Sequence, residues 1–236
     1  MKQFVLLAIA GTLLISTSTT VSASAIRFTQ GSLACTITDN SSVTGSAACN
    51  TILGDISPEN GLITTLGSIN GWNVTTNVGR SKPFFGSSAL PALDLQFAAQ
   101  SAAAGTLTIE FTETDFSSAA IRALASQIGG TTQGTSINYS TFADLNNVAF
   151  GRGVALSTLG FLASPFSGAA TAAFNPNTAT YSITQVITIT HGAGSAVLTT
   201  GDAAIGVVPA PATLLLLGSA LVGMGLARRK AIPVSK

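Results

Sequence analysis

Three carboxylates within one short segment form the densest group of residues that could support acid–base chemistry or bind a metal ion: Glu110, Glu113 and Asp115. A glycosidase needs two carboxyl groups that face each other across a cleft. Apolar and polar residues alternate over 106–112, which points Glu110 away from the apolar face, and the other two carboxylates follow where the alternation ends. We therefore expect these three carboxylates to be ordinary polar residues at a strand edge and in a turn. The alternatives are a calcium site completed by loop oxygens and a glycan-hydrolase centre.

His191 is the only histidine, and it precedes the short glycine-containing segment 192–194. It could serve a catalytic triad only together with a serine and an acid. The chain contains neither the Gly-x-Ser-x-Gly motif of hydrolases nor a glycine-rich phosphate-binding loop that ends in Lys-Ser/Thr. We therefore expect His191 to be a surface or half-buried residue at a strand end, and we predict no cofactor and no enzymatic activity.

The two cysteines, Cys35 and Cys49, lie close together in a chain that has no others. Downstream of an export signal, such a pair predicts a disulfide. The alternative is two free buried thiols. A metal site is disfavoured because the single histidine lies far away along the chain.

Aromatic residues offer a further possibility, because indole and phenol rings can stack on sugar rings. Trp72, Tyr139 and Tyr181 are the candidates, and Trp72 is the tentative glycan contact. The competing interpretation is that Trp72 packs in the core.

The charge distribution excludes one class of partner. Only 8% of the residues are charged, and residues 26–207 carry nine acidic and five basic side chains. Because no basic patch is available to neutralise phosphates, the sequence argues against nucleic-acid binding.

The elements that would position all of these residues are strands. Period-two alternation marks 93–100, 106–112 and 181–190, and glycine-rich turns separate the runs. We predict one all-β domain over 26–206, an antiparallel sandwich or a jelly-roll-like fold. The segment 117–128 remains open, because its alanines favour a helix and its setting favours a strand.

The N-terminus has a basic start, an apolar stretch of about a dozen residues and small residues at a cleavage site, the pattern of a secretory signal peptide. We expect the signal peptide to span 1–25 with cleavage after Ala25. Cleavage after Ala23 is the alternative.

The C-terminus has three parts. The motif Val208-Pro209-Ala210-Pro211 precedes the apolar segment 212–227, and the basic cluster Arg228-Arg229-Lys230 follows it. Sixteen residues in a helix would extend about 24 Å, which is short of the roughly 30 Å hydrocarbon core, although residues 203–208 could lengthen the membrane-spanning helix. The basic cluster would hold its far end in the cytoplasm and leave the domain outside.

This tripartite end, 207–230, resembles the PEP-CTERM sorting signal of Gram-negative bacteria, which combines a Val-Pro-Glu-Pro-like motif, one transmembrane helix and an arginine-rich terminus. The chain differs in having Ala210 in place of the glutamate and a six-residue tail, 231–236, after the basic cluster. The resemblance implies processing by an exosortase, a transient inner-membrane anchor, and delivery to the surface or extracellular matrix of a cell that makes exopolysaccharide. An uncleaved C-terminal membrane anchor is the alternative.

The predicted domain is also similar to a β-rich body found ahead of such tails, through the segments 105–116, 129–131 and 139–147. That similarity implies a structural or matrix protein. We therefore expect a non-enzymatic exported protein associated with exopolysaccharide or biofilm. A lectin-like carbohydrate-binding module is the alternative, and an exported glycan hydrolase is a third hypothesis.

Overall fold

The protein folds as a sandwich of two antiparallel β-sheets, which confirms the all-β prediction. The computed structural model describes residues 24–117, 123–162, 164–177, 180–194 and 196–208. Most of the predicted signal peptide and the C-terminal segment from Pro209 onward lie outside these residues. Within the described ranges, no helix has the length and apolarity that a membrane crossing requires.

The first sheet has seven strands in the order β10-β9-β12-β7-β1-β2-β3. Its strands, in chain order, are β1 (Ala25–Gln30), β2 (Leu33–Thr38), β3 (Val43–Gly45), β7 (Gly105–Phe116), β9 (Ser136–Asp144), β10 (Val154–Phe161) and β12 (Tyr181–His191). The second sheet has six strands in the order β11-β8-β13-β6-β5-β4. Its strands are β4 (Leu62–Ile69), β5 (Trp72–Arg80), β6 (Ala92–Ser101), β8 (Ala123–Thr132), β11 (Phe166–Ala173) and β13 (Val197–Val207).

The chain crosses repeatedly between the two sheets. From β7 onward, each strand lies in the sheet opposite to its predecessor, except for the β9–β10 hairpin. The central strands of both sheets therefore have neighbours that are distant in sequence: β7 pairs with β1 and β12, and β13 pairs with β6 and β8. Side chains that converge on one face of a sheet consequently come from segments that no local sequence pattern connects.

Three of the predicted strands are confirmed, and their apolar faces form the core. The segments 93–100, 106–112 and 181–190 lie within β6, β7 and β12. Leu107 and Ile109 of β7 are fully buried between the sheets, as the alternation predicts.

The ambiguous segment 117–128 resolves in favour of a strand where the structure describes it. Residues from Ala123 onward form β8, and residues 118–122 lie outside the described part of the chain. Strand β8 pairs with β11 on one side and with β13 on the other. Pairing on both sides outweighs the helix propensity of its alanines, which is a weak local preference.

The predicted disulfide is confirmed. Cys35 of β2 bonds to Cys49 of the 3₁₀ helix Ala47–Thr51, across a sequence separation of 14 residues. Gly45, which pairs with Cys35 in the ladder, has a φ of 135°, and a Cβ there would lie 2.1 Å from the carbonyl oxygen of Ala34. Only glycine allows the backbone to turn this closely beside the disulfide.

Removing the disulfide should destabilise the domain by about 3 kcal/mol, because a closed loop of roughly 15 residues restricts the unfolded chain by that amount. We expect the double variant Cys35→Ser/Cys49→Ser to lose this much free energy of unfolding in urea titrations. A reducing agent should lower the wild-type midpoint and leave the double variant unchanged. Identical midpoints for the two proteins under oxidising conditions would contradict the expectation.

Candidate functional site

Glu110 lies on the outer face of the seven-stranded sheet and is only 2% exposed. Its Oε2 accepts a hydrogen bond from Arg27 Nε at 2.6 Å, and its Oε1 accepts one from Arg152 Nη2 at 2.6 Å. Burial acts to raise the pKa of Glu110, but the two guanidinium groups outweigh it and hold the pKa below its ordinary value. The arginines in turn stack on aromatic rings, Arg27 on Phe150 at 4.1 Å. This is a structural ion-pair cluster in which both carboxylate oxygens are occupied.

Glu113 lies on the opposite face of β7, between the two sheets. It is fully buried, and Lys82 Nζ lies 3.1 Å from its Oε1. Asp115 occupies a bulge with a φ of 60°, where its carboxylate accepts a hydrogen bond from Asn147 Nδ2 at 2.7 Å. The expectation that these three carboxylates are edge and turn residues is therefore wrong for Glu110 and Glu113, because partners from distant segments neutralise them in buried positions.

The three carboxylates also do not converge. Glu110 and Glu113 point to opposite sides of the same sheet, so no cleft brings them face to face as a glycosidase requires. Within the described residues, no group of three or more His, Cys, Asp or Glu side chains is arranged to hold a metal ion. Glu110 and Glu113 therefore do not form the facing carboxyl pair of a glycosidase.

His191 lies inside the sandwich and is 1% exposed, so the expected surface or half-buried position is wrong. Its Nδ1 lies 2.9 Å from Ser101 Oγ, and its Nε2 lies 2.9 Å from Thr199 Oγ1. Thr199 Oγ1 lies 2.6 Å from Thr132 Oγ1 and extends the network with another hydroxyl. Burial lowers the pKa of His191. His191 belongs to the seven-stranded sheet and both hydroxyl partners to the six-stranded sheet, so the network connects the two sheets. Because hydroxyl groups flank both ring nitrogens and the site is enclosed, the network does not form a catalytic triad.

The aromatic candidates are buried as well. Trp72 is 2% exposed, and its ring stacks on His191 with the centroids 4.4 Å apart. Tyr139 and Tyr181 are fully buried, and Tyr139 donates a hydrogen bond to Gln185 Oε1 at 2.7 Å. A sugar ring cannot reach any of these side chains, so the hypothesis that Trp72 contacts glycan is wrong. All three rings fill the space between the sheets.

The accessible site lies instead on the outer face of the six-stranded sheet, where the strand registers align polar residues in two adjacent rows. The first row crosses β6, β13, β8 and β11 as Gln96, Asp202, Gly129 and Ser167. The second row begins one strand earlier, at β5, and runs as Arg80, Asp94, Ala204, Gln127 and Ala169. Because residues two positions apart share a face, both rows point to solvent while the intervening apolar residues fill the core.

Small residues deepen this face into a groove, which we call the outer groove. Between the polar side chains of the two rows lie Gly129, Ala169 and Ala204. One part of the groove, beside Asp202 and Ser167, is an open depression of about 550 Å³. A second part of about 270 Å³ adjoins it at Gln127 and ends at Phe85. The outer groove thus extends along β8, β11 and β13.

Two carboxylates and one guanidinium set the electrostatics of the outer groove and of strands β5 and β6 beside it. Arg80 Nη1 donates to Asp94 Oδ2 at 2.5 Å, and Arg80 Nη2 lies 3.4 Å from Gln96 Oε1. Burial raises the pKa of Asp94. The neighbouring Asp202 carboxylate adds to this effect, and Arg80 opposes it. Asp202 itself is exposed. The outer groove and the adjoining face of β5 and β6 therefore present charged and neutral donors and acceptors side by side.

Sequence reasoning missed the outer groove, although part of its signal was visible. The alternation over 93–100 correctly places Asp94 and Gln96 opposite the apolar face of β6. Asp202, Gln127 and Ser167 join them only through the pairing order of the strands.

No protein-family model matches the chain, and no curated protein matches its sequence. Among solved structures, the chain is 10% identical to the enzymatically active domain of bacteriophage CBA120 tailspike protein 4, over 59% of this chain and 20% of that one, with a TM-score of 0.31. It is 10% identical to TmCBM61 in complex with β-1,4-galactotriose, over 58% of this chain and 88% of that one, with a TM-score of 0.29. It is 13% identical to a chain of infectious bursal disease virus Gx strain, over 85% and 54% of the two chains, with a TM-score of 0.29. The similarity is too low to assign a family, and no functional conclusion is drawn from it.

Glu110 should contribute stability that depends on pH. Because its pKa in the folded protein lies below the unfolded value, the ionised form stabilises the fold above that unfolded value, and the contribution disappears as the pH falls through the folded pKa. We expect Glu110→Gln to cost roughly 2–3 kcal/mol of unfolding free energy at pH 7, as for charged hydrogen bonds, and less near pH 3. The control Glu59→Gln, at an exposed loop position, should change stability little at either pH. A Glu110→Gln penalty that does not vary with pH would contradict this account.

Proposed function

We propose that the domain binds a polysaccharide in the outer groove. The observation that supports this most directly is the pair of polar rows that the strand registers place across four or five strands of one sheet. Gln96 and Gln127 each offer both donors and acceptors, Arg80 offers donors, and Asp94 and Asp202 offer acceptors. A polyhydroxylated ligand requires this mixture, because every sugar hydroxyl both donates and accepts hydrogen bonds.

The shape of the outer groove is consistent with a chain-like ligand. The groove is open along its length, and its small floor residues allow a ring to approach the sheet closely. Phe85, which is exposed at one end, provides an apolar surface against which the face of a sugar ring can pack. Phe85 therefore replaces the buried Trp72 as the candidate aromatic contact.

The groove carboxylates favour binding over hydrolysis. Asp202 in the outer groove and Asp94 beside it stand on neighbouring strands of the same face, and Arg80 holds Asp94 in an ion pair. The two carboxyl groups of a glycosidase instead flank the bond that is cleaved, from opposite sides. We therefore propose a non-enzymatic glycan-binding protein.

We further propose that the chain is exported and processed by an exosortase, and that it reaches the cell surface or extracellular matrix of a Gram-negative bacterium. The tripartite tail supports this proposal, and so does the disulfide, since such bonds persist in oxidising compartments. The last strand, β13, ends at Val207, and Val208 donates its N–H to the carbonyl of Ala123. A cut just beyond Val208, within the Pro209–Ala210–Pro211 motif or at Ala212, would leave intact all thirteen strands that the structure describes.

The position of Ala25 favours the alternative signal-peptide cleavage site, after Ala23. Ala25 is the first residue of β1 and pairs with Thr38 and Thr112. Cleavage after Ala25 would remove both pairings and leave β1 to begin at Ile26. Cleavage after Ala23 instead leaves β1 complete.

Removing polar groups from the outer groove should weaken polysaccharide binding. We expect Asp202→Asn/Gln127→Ala to reduce affinity for the exopolysaccharide of the native host by about tenfold or more, as the loss of about 1.4 kcal/mol in hydrogen bonding implies. Affinity electrophoresis in gels that contain the polysaccharide measures this directly. Glu59→Gln is the charge-matched control, and unfolding midpoints establish that each variant folds. Equal retardation of the wild type and the groove variant would overturn the proposed site, and absence of retardation for the wild type would overturn glycan binding by this polysaccharide.

The proposed cleavages by signal peptidase and exosortase predict defined N- and C-termini for the mature protein. We expect intact-mass measurements on protein from the host's envelope and matrix to give an N-terminus at Ser24 and a C-terminus between Val208 and Ala212. Deletion of the resident exosortase should abolish the C-terminal cut. A membrane-bound species that retains Lys236 in the wild-type host would contradict sorting, and an N-terminus at Ile26 would contradict the preferred cleavage site.

A further inference from the structure

One edge of the six-stranded sheet lacks the features that normally prevent association between sheets. Edge strand β11 pairs with β8 over eight consecutive residues without a register shift. Among the described residues, no backbone or side-chain hydrogen bond outside this ladder involves 166–173. An edge strand directs alternate N–H and C=O groups away from its sheet, so β11 presents a regular row of such groups to one side.

The other edges are protected. Segment 51–56 covers edge strand β4: Leu53 donates its N–H to Leu66 O at 2.8 Å, and Ile56 donates to Thr64 O at 3.0 Å. Edge strand β3 has only three residues, and edge strand β10 contains a bulge near Leu156. Short strands, bulges and covering segments are the ways in which proteins protect exposed edges.

The segment that contains β11 also lacks charge. Residues 153–201 contain no Asp, Glu, Lys or Arg, although lysine is the residue that most often protects exposed edges. The exposed side chains of β11 are small, with Ser167, Ala169 and Thr171 among them. Neither charge repulsion nor bulk therefore opposes the approach of another strand.

We propose that a second copy of this chain pairs with β11, antiparallel and about a twofold axis, so that the two six-stranded sheets become one continuous twelve-stranded sheet. The edge is its own complement in this arrangement, as an isologous interface requires. Leu162 supports a second copy as the partner: it lies in the turn before β11 and is 84% exposed. Antiparallel pairing places this turn beside the opposite end of the partner's β11, where Leu162 becomes covered.

The dimer has a consequence for the outer groove. A twofold axis perpendicular to the joined sheet leaves both outer faces on the same side, and β11 forms one wall of each groove. Two grooves then lie next to each other and can hold one polysaccharide chain or two adjacent chains. Association by β11 does not depend on glycan binding, so the two proposals can fail separately.

The test is the oligomeric state of the full-length protein in mild detergent without glycan, measured by light scattering over a concentration series. We expect a dimer, and we expect Ala169→Lys to raise its dissociation constant about tenfold or more, because each copy then brings a charge to the shared edge. Leu66→Lys, on the covered edge strand β4, is the matched control and should remain dimeric. Hydrogen exchange of 166–173 gives a second measurement, and we expect slower exchange in the wild-type dimer than in Ala169→Lys.

Two outcomes would overturn the proposal. One is a dimer that Ala169→Lys leaves intact or that Leu66→Lys disrupts, since the interface then lies elsewhere. The other is a protein that stays monomeric at every concentration. If the amides of 166–173 in that monomer are also protected from exchange, another part of the chain covers the edge. Loss of glycan binding in a dimeric protein would concern only the outer groove.

Discussion

Along each strand of the six-stranded sheet, successive residues point to opposite sides, and this alternation makes the core and the outer groove depend on the same register. On β6, Leu93 and Leu95 pack between the sheets while Asp94 and Gln96 face outward. A shift of one residue would bury the carboxylate and expose the leucines. The apolar core therefore fixes the register that aligns Asp94 and Asp202. The same constraint aligns the outward-facing polar groups on three further strands.

The buried polar groups belong to the fold and not to the site. Glu110 bridges two arginines, Lys82 contacts Glu113, and His191 lies between the hydroxyls of Ser101 and Thr199. Each arrangement joins segments that are far apart in sequence. A buried charge without its partner is strongly destabilising, so these pairs penalise alternative pairings of strands that otherwise share similar alanine- and threonine-rich sequences. The residue types that suggested catalysis instead help to specify one topology.

Features of the fold that depend on residues close together in sequence were predictable, and features that depend on contacts between distant segments were not. Period-two alternation is local, and it correctly indicated β6, β7 and β12, the apolar face of Leu107 and Ile109, and a sandwich. The disulfide followed from cysteine spacing and the export signal. The burial of Glu110 and Trp72 depends on partners 40 or more residues away, Arg152 and His191, which alternation within one strand cannot indicate. The outer groove required the strand order itself, and for 118–122 and the two termini the sequence prediction remains a prediction.

The most direct test of glycan binding in the outer groove is carboxyl footprinting, in which carbodiimide couples an amine to exposed carboxylates and mass spectrometry quantifies each site. Asp202 in the groove and Glu59 in a distant loop are both exposed, so one molecule supplies both the probe and its control. The account predicts that the host's exopolysaccharide reduces labelling of Asp202 severalfold and leaves Glu59 unchanged. Labelling of Asp202 that is unaffected by bound polysaccharide would contradict it.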